Sequence, residues 1–186
     1  MSELVSFYVT PKTSAYTVTN NLEYKLGFKS PKRAVDITIR FKRGVSHTSW
    51  TSPKSSINDV ARLAALLIKG YKAKAYKGGT SGGSRGTPSV RFPARPIFTN
   101  YKELYGDEMR QIVINAFRTY SHWGVAQRAE RAGKAIIRDM QRKVYSGSLG
   151  LAANQGKYAA KKAARYGDVP FVATKALMEH MEVVIQ

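Results

Sequence analysis

The strongest pattern in the chain is an apolar stripe that recurs every three or four positions between residues 124 and 145. Val125, Ala129, Ala132, Ile136, Met140 and Val144 fall on one side of a helix drawn through this stretch. Arg128, Arg131, Ala135, Arg138 and Arg142 fall on the other. That period predicts an amphipathic helix with a buried face and an arginine ridge, ended by Ser146-Gly147. A period of two governs Ala34 to Phe41. Val35, Ile37, Ile39 and Phe41 alternate with Asp36, Thr38 and Arg40, which predicts a half-buried strand. The small residues Ala129, Ala132 and Gly133 predict a close approach of the helix to that strand's sheet.

Weaker patterns fill in the rest. Residues 3–10 (ELVSFYVT) are β-branched and aromatic and read as a strand stopping at Pro11. Residues 16–18 and 22–28 are further strand candidates around the turn residues Asn20-Asn21, and 44–56 has loop composition. Ser56 with Asp59 resembles a capping box, opening a helix that carries Ile57, Val60, Ala61, Ala64, Leu67 and Ile68 and stops at Gly70. A basic tail, YKAKAYK, leads into GGTSGGSRGTP at 78–88, which predicts a flexible loop. Its Arg85 would suit a phosphate, although flexibility alone accounts for the segment. Asp107 is placed to cap a helix through Met109, Ile112, Val113, Ala116, Phe117 and Tyr120, broken at Trp123-Gly124. Residues 152–166 form a basic Ala/Lys segment, helical or looped. Thr174 can cap a short helix holding Leu177, Met178 and Met181, and Val183 to Ile185 closes the chain as a strand.

Strands early, helices in the middle and a strand at the end predict an α+β fold: a mainly antiparallel sheet packed against one or two long helices, with extended loops. A length of 186 residues fits a single domain, with a strand-rich part at 1–56, the loop at 78–88 and a helical part at 106–186.

Composition narrows the chemistry. Hydrophobic residues at 43% are sufficient for a buried core. The absence of cysteine excludes disulfides, thiolate nucleophiles and Cys-ligated metals. No apolar run approaches the ~20 residues of a membrane helix, and residues 1–12 lack the features of a signal peptide. The expected compartment is a reducing cytoplasm or a particle assembled there, with no membrane partner. The three histidines, His47, His122 and His180, have no partner at metal-ligand spacing. HExxH, GxSxG and GxxxxGK[ST] are missing, so no enzyme, cofactor or metal is expected.

The charge does point outward. Thirty-one Lys+Arg against 12 Asp+Glu give a net +19, which calls for an anionic partner. No carboxylate occurs between Asp59 and Glu103, or between Asp139 and Asp168, while both stretches are rich in Lys and Arg. The arginine ridge reads either as a solvated helix face or as part of a docking surface. Recognised nucleic-acid modules are missing.

One short segment stands out. In Phe92-Pro93-Ala94-Arg95-Pro96-Ile97-Phe98, two prolines bias Phe92 and Arg95 toward extended backbone. The stiff segment presents one guanidinium for a charge-assisted contact within or between subunits, making Arg95 an assembly or core-anchoring residue, or else simply connects sheet to helix. FPARPIF resembles the P-x-R-P-F signature of neck and tail-completion proteins of tailed bacteriophages, including the Mu-like virion morphogenesis group. Residues 170–185 are similar to the downstream P-L-[VI]-x-T-G-x-[LM] pattern of these proteins, with Lys175 in place of the usual Gly and His180 where Ser is common. The resemblance spans roughly 57–186 and is weakest over the N-terminal third.

The resemblance implies a non-catalytic head–tail joining protein located in the virion neck or tail and assembled in the host cytoplasm. Its implied partners are further copies in a hexameric ring, neighbouring neck, portal-side or tail-tube proteins, and packaged DNA. The assembly residues it suggests are Pro93, Arg95, Pro96 and Phe98, joined by Arg128, Arg131, Arg138 and Arg142 of the ridge. The competing expectation, from charge alone, is a stand-alone basic nucleic-acid-binding protein.

Overall fold

The computed structural model describes residues 8–11, 23–29, 34–45, 59–74, 89–153 and 176–186. Expectations for 3–7, 16–18, 46–58, 75–88, 154–166 and Thr174 therefore lie outside the described residues.

The fold is α+β. Strands β1 (Tyr8–Pro11), β2 (Glu23–Lys29) and β3 (Ala34–Phe41) form an antiparallel meander. The last strand, β6 (Met181–Ile185), returns to pair antiparallel with β3, giving the order β1-β2-β3-β6. Pro11 ends β1 at the sheet edge, where a missing N–H is tolerated.

Helix α1 (Val60–Lys69) begins three residues past the predicted Ile57 start. Asp59 is its cap: Oδ1 accepts from the Arg62 N–H at 2.9 Å, and Oδ2 accepts from the Gly44 N–H. The Asp of the supposed capping box thus acts as the N-cap itself. Gly70 ends the helix at φ +73°, and a Cβ there would lie 2.7 Å from the Ala94 nitrogen. Both facts demand glycine.

The basic tail after Gly70 is a strand. Strand β4 (Tyr71–Lys74) pairs antiparallel with β5 (Ser89–Phe92), forming a second, two-stranded sheet. Tyr71 and Phe92 face each other across it, stacked at 4.6 Å. Tyr71-Lys72-Ala73-Lys74 does alternate, but four residues are too few for a period to stand out, and pairing decides the conformation of so short a strand.

Helix α2 (Ile97–Thr119) starts ten residues before Asp107. Pro96 precedes its first turn, and Ile97, Phe98 and Tyr101 are all buried. Tyr105 interrupts it at φ −130°, so Asp107 sits just past a kink rather than at the helix start. Helix α3 (Val125–Tyr145) matches its predicted span. The Gln127 side chain accepts from the Gly124 N–H at its start, and Gly147 reverses the chain at its end with φ +74°. Helix α4 (Ala176–Glu179) holds Leu177 and Met178, both buried. Met181 belongs to β6 and not to this helix.

Helices α1 and α3 pack on the sheet, α3 across β3 and β6, and α2 packs against α3. Ile37, Ile39 and Phe41 are buried beneath them, together with the predicted stripe from Ala129 to Val144. Thr38, on the opposite face, is also only 2% exposed, so the centre of β3 is buried on both sides and not half-buried. Beside it Arg40 and Glu182, cross-strand partners, form an ion pair at 2.7 Å.

The α3–sheet contact is tightest at Gly133. A Cβ there would lie 2.6 Å and 2.9 Å from the two methyls of Val183 and 3.0 Å from Ile37 Cγ2. Gly133→Ala gains about 1 kcal/mol of helix propensity. Overpacking against two stiff β-branched residues costs about 1–3 kcal/mol, so the substitution is expected to lower stability by about 1 kcal/mol net. Chemical denaturation checks this, and a stabilised variant would contradict it.

Candidate interaction surfaces

Arg95 does not project outward. It is only 4% exposed. Its backbone N–H donates to the Leu67 and Ile68 carbonyls at the end of α1, at 3.2 and 3.0 Å. Its guanidinium turns to the segment after α3, where Nε donates to the Ala152 carbonyl at 2.8 Å and Nη2 to Ala153 at 3.2 Å. Asn100 Nδ2 continues the clamp to the Leu149 carbonyl at 2.9 Å, and the Tyr105 hydroxyl donates to Ser148 at 3.1 Å. Residues 95, 100 and 105 thus hold the chain from 148 to 153, which carries the fully buried Leu149.

The proline framing makes sense here. With φ fixed at Pro93 and Pro96, the main chain of Arg95 faces α1 while its side chain spans to 152–153. Phe98 is buried as well, edge-on to Phe41 with ring centroids 5.9 Å apart. Neither Arg95 nor Phe98 is available as a direct docking residue. Pro93 and Pro96 are half-buried, and Pro93 borders an open cleft of about 580 Å³ with Lys69, Tyr71, Lys72 and Phe92.

The arginine ridge divides into two parts. At the α2–α3 end, the Arg128 guanidinium lies over the Phe117 ring at 5.0 Å and that of Arg131 over Tyr120 at 5.4 Å. Arg128 is half-buried, and its Nε is buried without a hydrogen-bond partner among the described residues. At the other end, Arg142 pairs with Asp139 at 3.0 Å. Asp139, 6% exposed, also accepts from the buried Tyr101 hydroxyl at 2.8 Å. Burial, then this hydrogen bond to Asp139, push the Tyr101 pKa well above the ordinary tyrosine range. Its neutral hydroxyl therefore favours folding, an advantage complete below the unfolded tyrosine pKa of about 10 and lost only as pH climbs above that value. Lys143 bonds Glu108 at 2.9 Å, which raises the ammonium pKa, and lies 3.8 Å from the Tyr105 ring centre. Of the four predicted ridge arginines, Arg131, Arg138 and Arg142 are exposed.

The turn between α2 and α3, expected as a helix break at Trp123-Gly124, carries an aromatic cluster. Trp123, 37% exposed, stacks on Tyr120 at 4.5 Å, and His122 meets its edge. Trp123-Gly124 had registered only as a helix break, because side-chain stacking leaves no periodic signal.

Among the described residues, no group of His, Asp and Glu is arranged to hold a metal, and no helix is long and apolar enough to cross a membrane. His180 is half-buried, with its carbonyl accepting from the Lys42 N–H at 2.8 Å. No protein-family model, curated protein or solved structure matches the chain.

Proposed function

We propose that this chain is a structural protein of a tailed-phage virion, joining head to tail in the neck or upper tail as an oligomeric ring. The observation that carries this reading is the FPARPIF segment with its resemblance to the neck-protein signature. The Arg95 clamp supplies a physical reason for such a segment: it locks α1, α2 and the chain after α3 into one rigid unit. A subunit held in a ring under load requires that rigidity. The +19 charge suits docking on acidic neighbouring proteins or on the packaged DNA end.

Particles produced without this chain test the proposal. Separate filled heads and free tails in negative stain are the expected result, and joined, infectious virions would refute it.

The exposed Arg131 and Arg138, with the net charge, support a second reading as a stand-alone nucleic-acid-binding protein. Such a binder should hold duplex DNA near physiological salt, with affinity falling steeply as salt rises.

Under either reading, Arg131→Glu with Arg138→Glu should spare the fold. Arg131 loses an exposed cation–π contact worth about 0.5–1 kcal/mol, and Arg138 is exposed. The expected outcome is a melting temperature lowered by only a few degrees and a loss of assembly or DNA binding. Unchanged assembly and DNA binding would mark the ridge as a solvated surface only.

A further inference from the structure

Two large apolar side chains are exposed among the described residues: Leu104 at 57% and Trp123 at 37%. They sit at opposite ends of the long segment of α2, Leu104 beside exposed carboxylates and Trp123 beside arginines. Leu104 lies at the kink among Glu103, Asp107 and Glu108, so three of the chain's 12 acidic residues fall within six positions. Glu103 and Asp107 are exposed there, and Lys143 already engages Glu108. Lys102 is the nearest exposed cation in sequence.

Trp123 lies among cations. Arg131 is exposed over Tyr120, on which Trp123 stacks, exposed Arg118 is five positions away in sequence, and Arg128 lies against Phe117. The nearby carboxylate on α3, Glu130, is taken up by Lys134 in an ion pair. A stacked Trp and Tyr with Arg131 over the Tyr120 ring have the composition of an interface hot spot.

Within one chain the two patches cannot serve each other. From Gly106 to Thr119 the helix rises about 20 Å, more than twice the ~8 Å Debye length at physiological salt. Between chains they are complementary in charge, and each offers one large apolar group.

We infer that the Trp123 tip of one copy docks on the acidic Leu104 kink of the next copy. The two surfaces differ, so the contact is head-to-tail. Repetition of such a contact closes a ring when the rotation allows it and otherwise builds a filament. The inference rests on the ring reading and gives that ring its contact. The kink is also where Tyr105 and Lys143 brace α2 against α3, so the acidic patch is presented on a supported backbone.

Two complementary blocking variants test it. The tip variant is Trp123→Ser with Arg131→Glu, and the kink variant is Glu103→Lys with Leu104→Ser. All four positions are exposed, so both variants should keep the wild-type circular dichroism spectrum. Sedimentation velocity of wild type should show species larger than a dimer. Each variant alone should be monomeric, with self-association weakened at least about tenfold. Their equimolar mixture should stop at a dimer, because one intact tip meets one intact kink.

A variant that assembles like wild type overturns the inference. A mixture that stays monomeric overturns it, as does a wild-type chain that is monomeric throughout. A monomeric wild-type chain also counts against the ring, whereas failure of the variants or of their mixture leaves it standing; head–tail joining is judged separately by particles lacking the chain.

Discussion

Ile136→Asp is expected to leave no stably folded protein. Ile136 is fully buried in the middle of α3, between Ala132 and Met140, which are buried too. One turn earlier, Gly133 leaves no room for even a methyl group against Val183 and Ile37. A carboxylate placed there is shut off from water, and the buried Ala132 and Met140 around it are apolar. Burying it unpaired, together with the lost packing of the sec-butyl side chain, costs several kcal/mol. A domain of this size is held by about 5–15 kcal/mol, so the change removes most or all of the margin. The control is Arg138→Glu, two residues away on the exposed side of the same helix, which should fold. The readout is soluble yield and the cooperativity of thermal unfolding. A sharp transition near the wild-type temperature for Ile136→Asp would show that α3 is not docked as described.

Arg95→Ala is expected to cost about 3–6 kcal/mol. The backbone bonds of residue 95 to Leu67 and Ile68 survive the change. The two guanidinium bonds to Ala152 and Ala153 do not. Hydrogen bonds from a charged donor contribute about 1.5–3 kcal/mol each, and the truncation also leaves a void where a long side chain was packed. Arg95→Lys keeps the charge but not the fixed fork that reaches two successive carbonyls, so it should recover less than half of the loss. In urea the midpoint should fall while the slope stays constant, because the same surface is exposed on unfolding. Assembly should weaken in proportion to lost stability. A fully stable Arg95→Ala protein that fails to assemble would place this guanidinium at an interface.

Several features were legible in the residues before any coordinate. The period of two along Ala34–Phe41 and the arginine-backed stripe along 125–145 follow from where side chains point on a strand and a helix, a property of a few neighbouring residues. The close approach at Gly133 was readable for the same reason, since small residues on an apolar stripe leave room for a backbone. The glycine stop at Gly70 was legible too, although the Ala94 contact that also requires it was not.

Tertiary structure decided the rest. Tyr71–Lys74 is a strand only because Ser89–Phe92 pairs with it across an intervening Gly/Ser stretch. Met181 leaves its apolar neighbours Leu177 and Met178 for a strand because β3 offers it Phe41 as a partner. The prolines mark Arg95 as a rigidly held donor for a contact within or between subunits, but only the folded chain brings the carbonyls of Ala152 and Ala153 to it and makes the contact internal. The ridge looked uniform, yet Arg131 rests on an aromatic ring and Arg142 on a buried aspartate. Periodicity is local and survives in the sequence. The satisfaction of a polar group depends on partners dozens of residues away, and only the folded chain brings them within hydrogen-bonding distance.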